Sequence, residues 1–240
     1  MNSFCRYLGL PGVMLLATAA ISANAADLPA KAYAPAPVVA QVYNWTGIYV
    51  GVNGGYGWGS QDPLTLLTNR FDRSSFNISG GMFGGTVGAQ IQHGYVVLGL
   101  EGDLDWANIK GSGISNPSIL GVGAGIPLNI TTNTSGMMTA RLRAGAAMDN
   151  WLFYVTGGVA YDRSSATGTS IGPIACGVAG VVPSCSASSW RPGIAAGLGV
   201  EYGFAHNWSA KLEYIHIDSL GTGVSTDHID TIRSGINYRF

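Results

Sequence analysis

The chain has 240 residues, of which 47% are hydrophobic and only 10% are charged. Soluble domains usually carry about 25% charged residues, so this composition predicts a surface that faces something other than water. The formal net charge of -1 leaves no basic stripe to neutralise phosphates, which excludes nucleic-acid binding. The length fits a single folded domain.

The first 25 residues are typical of a secretory signal peptide. Arg6 gives a weakly positive start, residues 8–21 are apolar, and residues 23–25 supply the small-x-small cleavage pattern. A retained transmembrane helix is disfavoured because Pro11 and two glycines interrupt the apolar run, which is also short for a bilayer. We therefore predict cleavage after residue 25 and export.

Residues 26–44 are rich in Ala and Pro. This composition favours extended, polyproline-like conformations and supplies few donors for a β-sheet. We predict a periplasmic linker here, followed by the folded domain over residues 45–240. The alternative is that the segment folds back into the interior of that domain as a plug.

From residue 45 onward, apolar residues recur at every second position, as expected for β-strands with one apolar face. Near 95–106, Leu98 and Leu100 share one face, while Glu101 and Asp103 share the other. Eight strands are predicted, at about 46–58, 78–92, 95–106, 136–148, 151–162, 190–204, 208–218 and 232–240.

The last strand places apolar side chains on one face and two arginines on the other. A soluble β-sandwich would bury the apolar face against a second sheet, whereas a membrane barrel turns it towards lipid and keeps charges in its lumen. The sandwich is disfavoured because the apolar face continues over several strands without polar interruption. We interpret Tyr238 and Phe240 as an assembly signal for the barrel-assembly machinery.

The connections alternate between short and long. Short turns are predicted at 93–94, 149–150 and 205–207, where Gly, Asn and Asp tolerate the positive φ of tight hairpins. The other four connections are mostly long and rich in Ser, Thr, Asn and Gly. This asymmetry is typical of an all-β, eight-stranded antiparallel transmembrane β-barrel with short periplasmic turns and longer extracellular loops. The long connections lie near 59–77, 107–135, 163–189 and 219–227.

Closure of the sheet would bring the inward-facing charges together. The interior of an eight-stranded barrel is just wide enough for side chains to fill it, so these charges are predicted to form a structural ion network. A narrow polar channel is the alternative, because Gly193, Gly197 and Gly199 leave room on one side. The predicted network comprises Glu101, Asp103, Arg141, Arg143, Glu201, Lys211, Glu213, Arg233 and Arg239.

Residues 44–51 and 54–59 resemble the opening of the small outer-membrane β-barrel proteins of alpha-proteobacteria, called porin-family or outer-membrane immunogenic proteins. Residues 26–29 and 234–240 are also similar to that family. The resemblance implies a structural, surface-exposed barrel in the outer membrane, in contact with membrane lipid. It implies as alternatives a narrow porin or a protein that binds haemin or a host surface. No ligand motif of the family is matched, so no binding residue and no cofactor are predicted.

Two histidines and three aspartates flank the final loop: His216, Asp218, Asp227, His228 and Asp230. Two imidazoles beside carboxylates could act in acid–base chemistry or chelate a transition metal. The interpretation that we favour is a hydrated polar rim, with no catalytic residue, no metal ligand and no enzymatic activity.

Cys176 and Cys185 lie in one predicted outer loop, and they are the only cysteines left once Cys5 is removed with the signal peptide. In an oxidising envelope we predict that they form a disulfide, which would contribute about 2–3 kcal/mol locally. Two free thiols are the alternative.

Overall fold

Eight antiparallel strands pair in sequence order, and the last strand pairs back onto the first, so the sheet closes into a barrel. The computed structural model describes residues 43–61, 75–115, 128–170, 184–220 and 226–240. No helix long and apolar enough to cross a bilayer occurs among these residues. The closure of the sheet confirms the predicted eight-stranded antiparallel barrel. The strands are β1 (Gly47–Gln61), β2 (Phe76–His93), β3 (Val96–Ser115), β4 (Leu128–Met148), β5 (Trp151–Ser170), β6 (Ser184–Ala205), β7 (Trp208–Leu220) and β8 (Thr226–Arg239).

Three two-residue turns close one end of the barrel, at 94–95, 149–150 and 206–207. Gly94 and Asp149 adopt φ values of 62° and 52°, the left-handed conformation that such short hairpins require. The first turn lies one residue later than predicted, because Gly94 is its first residue and not its last. The short-turn end is the predicted periplasmic end.

The strands extend further into the predicted outer loops than the apolar pattern indicates. β4 begins at Leu128 and not near residue 136, and β6 begins at Ser184 and not near residue 190. The added segments are rich in Ser, Thr and Asn, yet their backbones pair within the sheet, as in Ile114 opposite Asn129. The register of β4 shifts between Thr134 and Gly136, where the added segment joins the predicted strand. Both faces of these segments are mostly polar, so hydrophobic alternation does not mark them.

Side chains alternate between the outer wall and the interior in the predicted sense. On β4, Leu142 is 67% exposed, while Arg141 and Arg143 on either side of it are 2% and 3% exposed. Aromatic side chains surround the short-turn end on the outside, as an interfacial girdle should. The exposed members are Tyr95, Trp151, Phe153, Tyr202, Phe204, Trp208 and Phe240.

Apolar clusters fill the lumen on both sides of its charged centre. At the short-turn end, Tyr43, Trp45, Val97, Leu152 and Tyr154 pack together. Towards the other end, a larger buried cluster occupies the interior, in keeping with the narrow lumen of an eight-stranded barrel. Its members are Ile78, Met82, Ile109, Met137, Ala160, Ala195, Ile215, Ile217 and Ile229.

The chain enters the barrel across its short-turn end. The backbone N–H of Tyr43 donates to Asn150 Oδ1 at 3.2 Å, and that of Trp45 donates to Gln92 Oε1 at 2.9 Å. Both rings are buried. Of the predicted linker, Tyr43 therefore packs as part of the barrel, and the carbonyl oxygen of the exposed Asn44 accepts from Arg239 Nη1 at 3.1 Å. The predicted signal peptide and the rest of the linker lie outside the described residues.

Candidate functional site

The structure places all nine residues of the predicted ion network inside the barrel, each at most 3% exposed. Asp105 joins them, because it lies on the same face of β3 two residues beyond Asp103. We call these ten residues the lumen network. Its charges balance: five cations (Arg141, Arg143, Lys211, Arg233 and Arg239) accompany five carboxylates (Glu101, Asp103, Asp105, Glu201 and Glu213).

Arg141 on β4 contacts carboxylates on two other strands at the centre of the lumen. Its Nη2 lies 2.7 Å from Glu101 Oε1 and 2.7 Å from Asp103 Oδ2 on the neighbouring strand β3. Its Nη1 lies 2.9 Å from Glu213 Oε1 on β7, which is not a neighbour of β4 in the sheet. The planar guanidinium, with five donors, can satisfy carboxylates on different strands at once.

Arg233 makes a second link across the lumen. Its Nε donates to Glu213 Oε2 at 2.9 Å, and its Nη1 donates to Asp105 Oδ2 at 2.9 Å. Its Nη2 lies 2.9 Å from Asp103 Oδ2. Glu213 and Asp103 are therefore shared between Arg141 and Arg233, so the two arginines belong to one connected group.

A second group lies nearer the short turns, around Glu201. Arg143 pairs with Glu201, and Asn237 Nδ2 donates to Glu201 Oε1 at 3.0 Å. The guanidinium of Arg143 also stacks on Tyr154, 3.6 Å from the ring centroid. Arg143 also connects this region to the centre of the lumen, because its Nη1 lies 3.4 Å from Glu101 Oε2, the oxygen to which Lys211 Nζ donates at 3.1 Å.

Arg239 differs from the other cations in its surroundings. Its Nη2 is 3.8 Å from Glu201 Oε1, at the outer limit of an ion pair. The guanidinium lies instead among aromatic rings, 5.0 Å from the centroid of Tyr43 and 4.9 Å from that of Trp45. Cation–π attraction therefore stabilises this charge, and the entering segment of the chain supplies the rings.

Sequence reasoning missed a group of three charges near the outer end of the lumen, Asp162, Arg191 and Asp227. Arg191 Nη2 lies 2.7 Å from Asp162 Oδ2, and Arg191 also pairs with Asp227. Ser219 donates to Asp162 at 2.9 Å. Asp162 and Arg191 stood at the ends of predicted strands, and Asp227 stood in a predicted loop. The alternation of the predicted β5 and β6 already places Asp162 and Arg191 on the inward face, but neither was included in the predicted network.

Tyr49 couples the lumen network to a glycine on the next strand. Its hydroxyl donates to Glu101 Oε2 at 2.8 Å, and a Cβ added at Gly88 would lie only 2.4 Å from that hydroxyl oxygen. We expect Gly88→Ala to displace Tyr49 and to lower the free energy of unfolding by about 1–3 kcal/mol, since overpacking forces such shifts. Urea titration of the protein folded in lipid vesicles would measure this.

The matched control is Gly85→Ala on the same strand, where the nearest atom to an added Cβ is 3.7 Å away. Equal stability of the Gly85→Ala and Gly88→Ala proteins would contradict the close packing of Tyr49 on Gly88.

The polar residues predicted to flank the final loop separate onto two faces. Asp227 is buried inside the barrel, as described above. The other four are on the outer wall, at the ends of β7 and β8 away from the short turns, and we call them the rim cluster. Its members are His216, Asp218, His228 and Asp230.

The two cysteines predicted to form a disulfide are not described together. Cys176 lies outside the described residues, and of Cys185 only the backbone, in β6, is described. The disulfide stays a prediction.

Comparison with known proteins matches this chain to outer-membrane proteins. The family model for the outer membrane protein beta-barrel domain matches residues 13–240. The 31 kDa outer-membrane immunogenic protein of Brucella melitensis is 29% identical over 249 residues, covering 94% of this chain and 95% of that protein. The 25 kDa outer-membrane immunogenic protein of Brucella canis is 28% identical over 218 residues, covering 86% of this chain and 84% of that protein. The crystal structure of OprG from Pseudomonas aeruginosa is similar with 14% identity and a TM-score of 0.42, over 82% of this chain and 98% of that one.

Proposed function

Because this chain belongs to the outer membrane protein beta-barrel domain family, we propose that it acts as a closed, non-conducting barrel that carries outer loops on a rigid wall. It is an integral outer-membrane protein and a surface-exposed component of the envelope, as its resemblance to that family predicted. In the outer membrane, the proposed role of the barrel is to support the outer loops without conducting solutes.

The observation that carries the proposal is the filling of the lumen. The ten charges of the lumen network balance one another, so the centre needs no mobile counter-ions. On one side of them lies the cluster that contains Ile217 and Ile229, and on the other lie Tyr43 and Trp45. Conduction needs a hydrated path, and apolar constrictions of this kind close pores by excluding water.

Single-channel recording in planar bilayers tests the proposal. We expect the refolded protein to insert without steady conductance steps, and heat-modifiable gel migration would establish that the same sample is folded. Reproducible steps of one size from folded protein would contradict a closed barrel and would favour the narrow porin.

The outer loops are proposed to supply contacts with the surroundings. The names of the two Brucella relatives describe them as immunogenic, and by analogy we propose that antibodies reach the loops of this chain. Haemin binding and attachment to a host surface stay predictions, because parts of the outer loops, among them residues 171–183, lie outside the described residues.

The end of β8 is proposed to be the segment that the barrel-assembly machinery recognises. Phe240 is exposed on the outer wall, and its ring contacts that of Tyr238 edge to face, with the centroids 5.1 Å apart. An aromatic pair at the short-turn end of the last strand is accessible before the barrel closes.

We propose no enzymatic activity for this chain. The carboxylates of the lumen network that are most buried, Glu201 and Glu213, are held by arginines. They are therefore poorly placed to exchange protons with a substrate.

A further inference from the structure

The rim cluster is a group of two imidazoles and two carboxylates on the outer wall of the barrel. In the pairing of β7 with β8, His216 lies opposite Asp230, and Asp218 lies opposite His228. On the other side of β8, Trp58 of β1 lies opposite Asp230. The cluster therefore lies beside an exposed Trp in the outer part of the wall, the position of the second aromatic girdle of a transmembrane barrel.

One hydrogen bond to Asp230 orients His216, and a second, from Tyr214, orients Asp230. Its Nδ1 lies 2.6 Å from Asp230 Oδ1, and the Tyr214 hydroxyl donates to the same carboxylate oxygen at 2.6 Å. A histidine that binds a metal through one ring nitrogen commonly donates its other N–H to a carboxylate, which fixes the tautomer and the ring direction. Asp230 and Tyr214 provide this support, which leaves Nε2 of His216 for a ligand.

The spacing between His216 and Asp218 suits a bound ion. Nε2 of His216 lies 3.3 Å from Asp218 Oδ1, and both side chains reach the surface, at 40% and 61% exposure. Two ligands bound to a tetrahedral ion at about 2.0–2.2 Å are themselves roughly 3.4 Å apart. An ion can therefore replace the proton between these two atoms with little movement of either side chain.

His228 is the third ligand in reach. Its Nδ1 lies 3.3 Å from Ser60 Oγ, so its Nε2 is left for coordination, and its ring centroid is 6.0 Å from that of His216. Two imidazoles on one tetrahedral ion have their centroids roughly 5–6 Å apart. The rings stack in this structure, and no group of three ligands among the described residues converges on one point. Binding therefore requires the His228 ring to turn towards Asp218, its register partner.

We propose that His216, Asp218 and His228 bind one transition-metal ion of the class that imidazole prefers, such as Zn²⁺, Ni²⁺ or Cu²⁺. Asp230 and Ser60 are positioning residues that orient the two rings. The site lies on the outer wall, separate from the lumen network, so its occupation leaves the interior of the barrel unchanged.

Calorimetric titration of Zn²⁺ into the folded protein in detergent micelles tests this proposal, with Cys176 and Cys185 replaced by Ser to remove competing thiols. We expect one ion per barrel. Co²⁺ in place of Zn²⁺ should give the visible absorption of a four-coordinate ion with nitrogen and oxygen ligands. His216→Ala and His228→Ala should each abolish the Co²⁺ signal, and Asp230→Asn should weaken affinity by about 10–100-fold.

The chain provides a matched control at the other end of the barrel. His93 ends β2, and His206 lies in the turn before β7, so the double variant His93→Ala/His206→Ala removes two imidazoles without touching the rim cluster. It should bind Zn²⁺ as the parent does. His216→Gln, which keeps a polar side chain, serves if the alanine variant folds poorly by heat-modifiable migration. Absence of binding by the folded parent, binding that survives both rim substitutions, or loss of binding in the control would overturn the proposal.

Discussion

Replacement of Arg141 by Met is expected to lower the free energy of unfolding by about 3–5 kcal/mol, because it leaves buried carboxylates without their cation. Glu101, Asp103 and Glu213 all lie within 3 Å of the Arg141 guanidinium, and none of these side chains is more than 1% exposed. Equilibrium unfolding in urea, followed by tryptophan fluorescence of the protein in lipid vesicles, would measure the loss.

One further variant separates charge from geometry at this position, and a variant on β5 serves as the control. Arg141→Lys keeps the positive charge but cannot reach carboxylates on β3 and β7 together, so we expect an intermediate loss. Arg163→Met removes an arginine from the exposed face of β5 and should change stability by no more than about 0.5 kcal/mol. If Arg141→Met were as stable as Arg163→Met, the lumen network would not be a structural element.

Introduction of an arginine on the opposite face of the same strand should also be costly. Leu142 lies between Arg141 and Arg143, points outward, and is far from both ends of β4. Arg at a lipid-facing position near the bilayer midplane destabilises a barrel by about 2–4 kcal/mol. We therefore expect Leu142→Arg to lower the free energy of unfolding in vesicles by that amount.

The same substitution at Leu220 is the control for depth. Leu220 also points outward, but it is the last residue of β7, at the end away from the short turns. Near the interface the cost of Arg falls to about 0–1 kcal/mol. A large loss of free energy of unfolding for Leu220→Arg, with none for Leu142→Arg, would mean that the bilayer midplane lies nearer Leu220 than Leu142. That result would also contradict the outward orientation of Leu142 on β4.

Which side chains point inward and which point outward could be predicted from the sequence, because lipid contacts the outer face of the sheet and a polar interior contacts the inner face. Leu142 must lie outside when Arg141 and Arg143 lie inside, since side chains alternate strictly along a strand. The same reasoning placed Arg233 and Arg239 of β8 and Glu201 of β6 inside the barrel. It needs no knowledge of which strands are opposite one another in the closed barrel.

Which charges meet across the lumen could not be predicted in this way. The contact of Arg141 with Glu213 depends on the stagger of the strands in the closed sheet, which no local pattern encodes. The position of Arg239 among Tyr43 and Trp45 depends on how the chain enters the barrel. The outer ends of β4 and β6 were missed for a different reason, because strands with two polar faces lack the alternation that lipid imposes.

Spin labels attached to single cysteines would test most directly whether the apolar wall faces lipid and the polar wall faces a closed interior. Leu100, Leu198 and Leu212 point outward on three strands, and Thr139, Thr156 and Ser209 point inward, all in a background with Cys176 and Cys185 replaced by Ser. In bilayers, the outward labels should collide readily with dissolved oxygen and rarely with a water-soluble nickel complex, while the inward labels should be shielded from both. Inward labels that meet oxygen as often as the outward ones, or outward labels that meet the nickel complex, would contradict this arrangement.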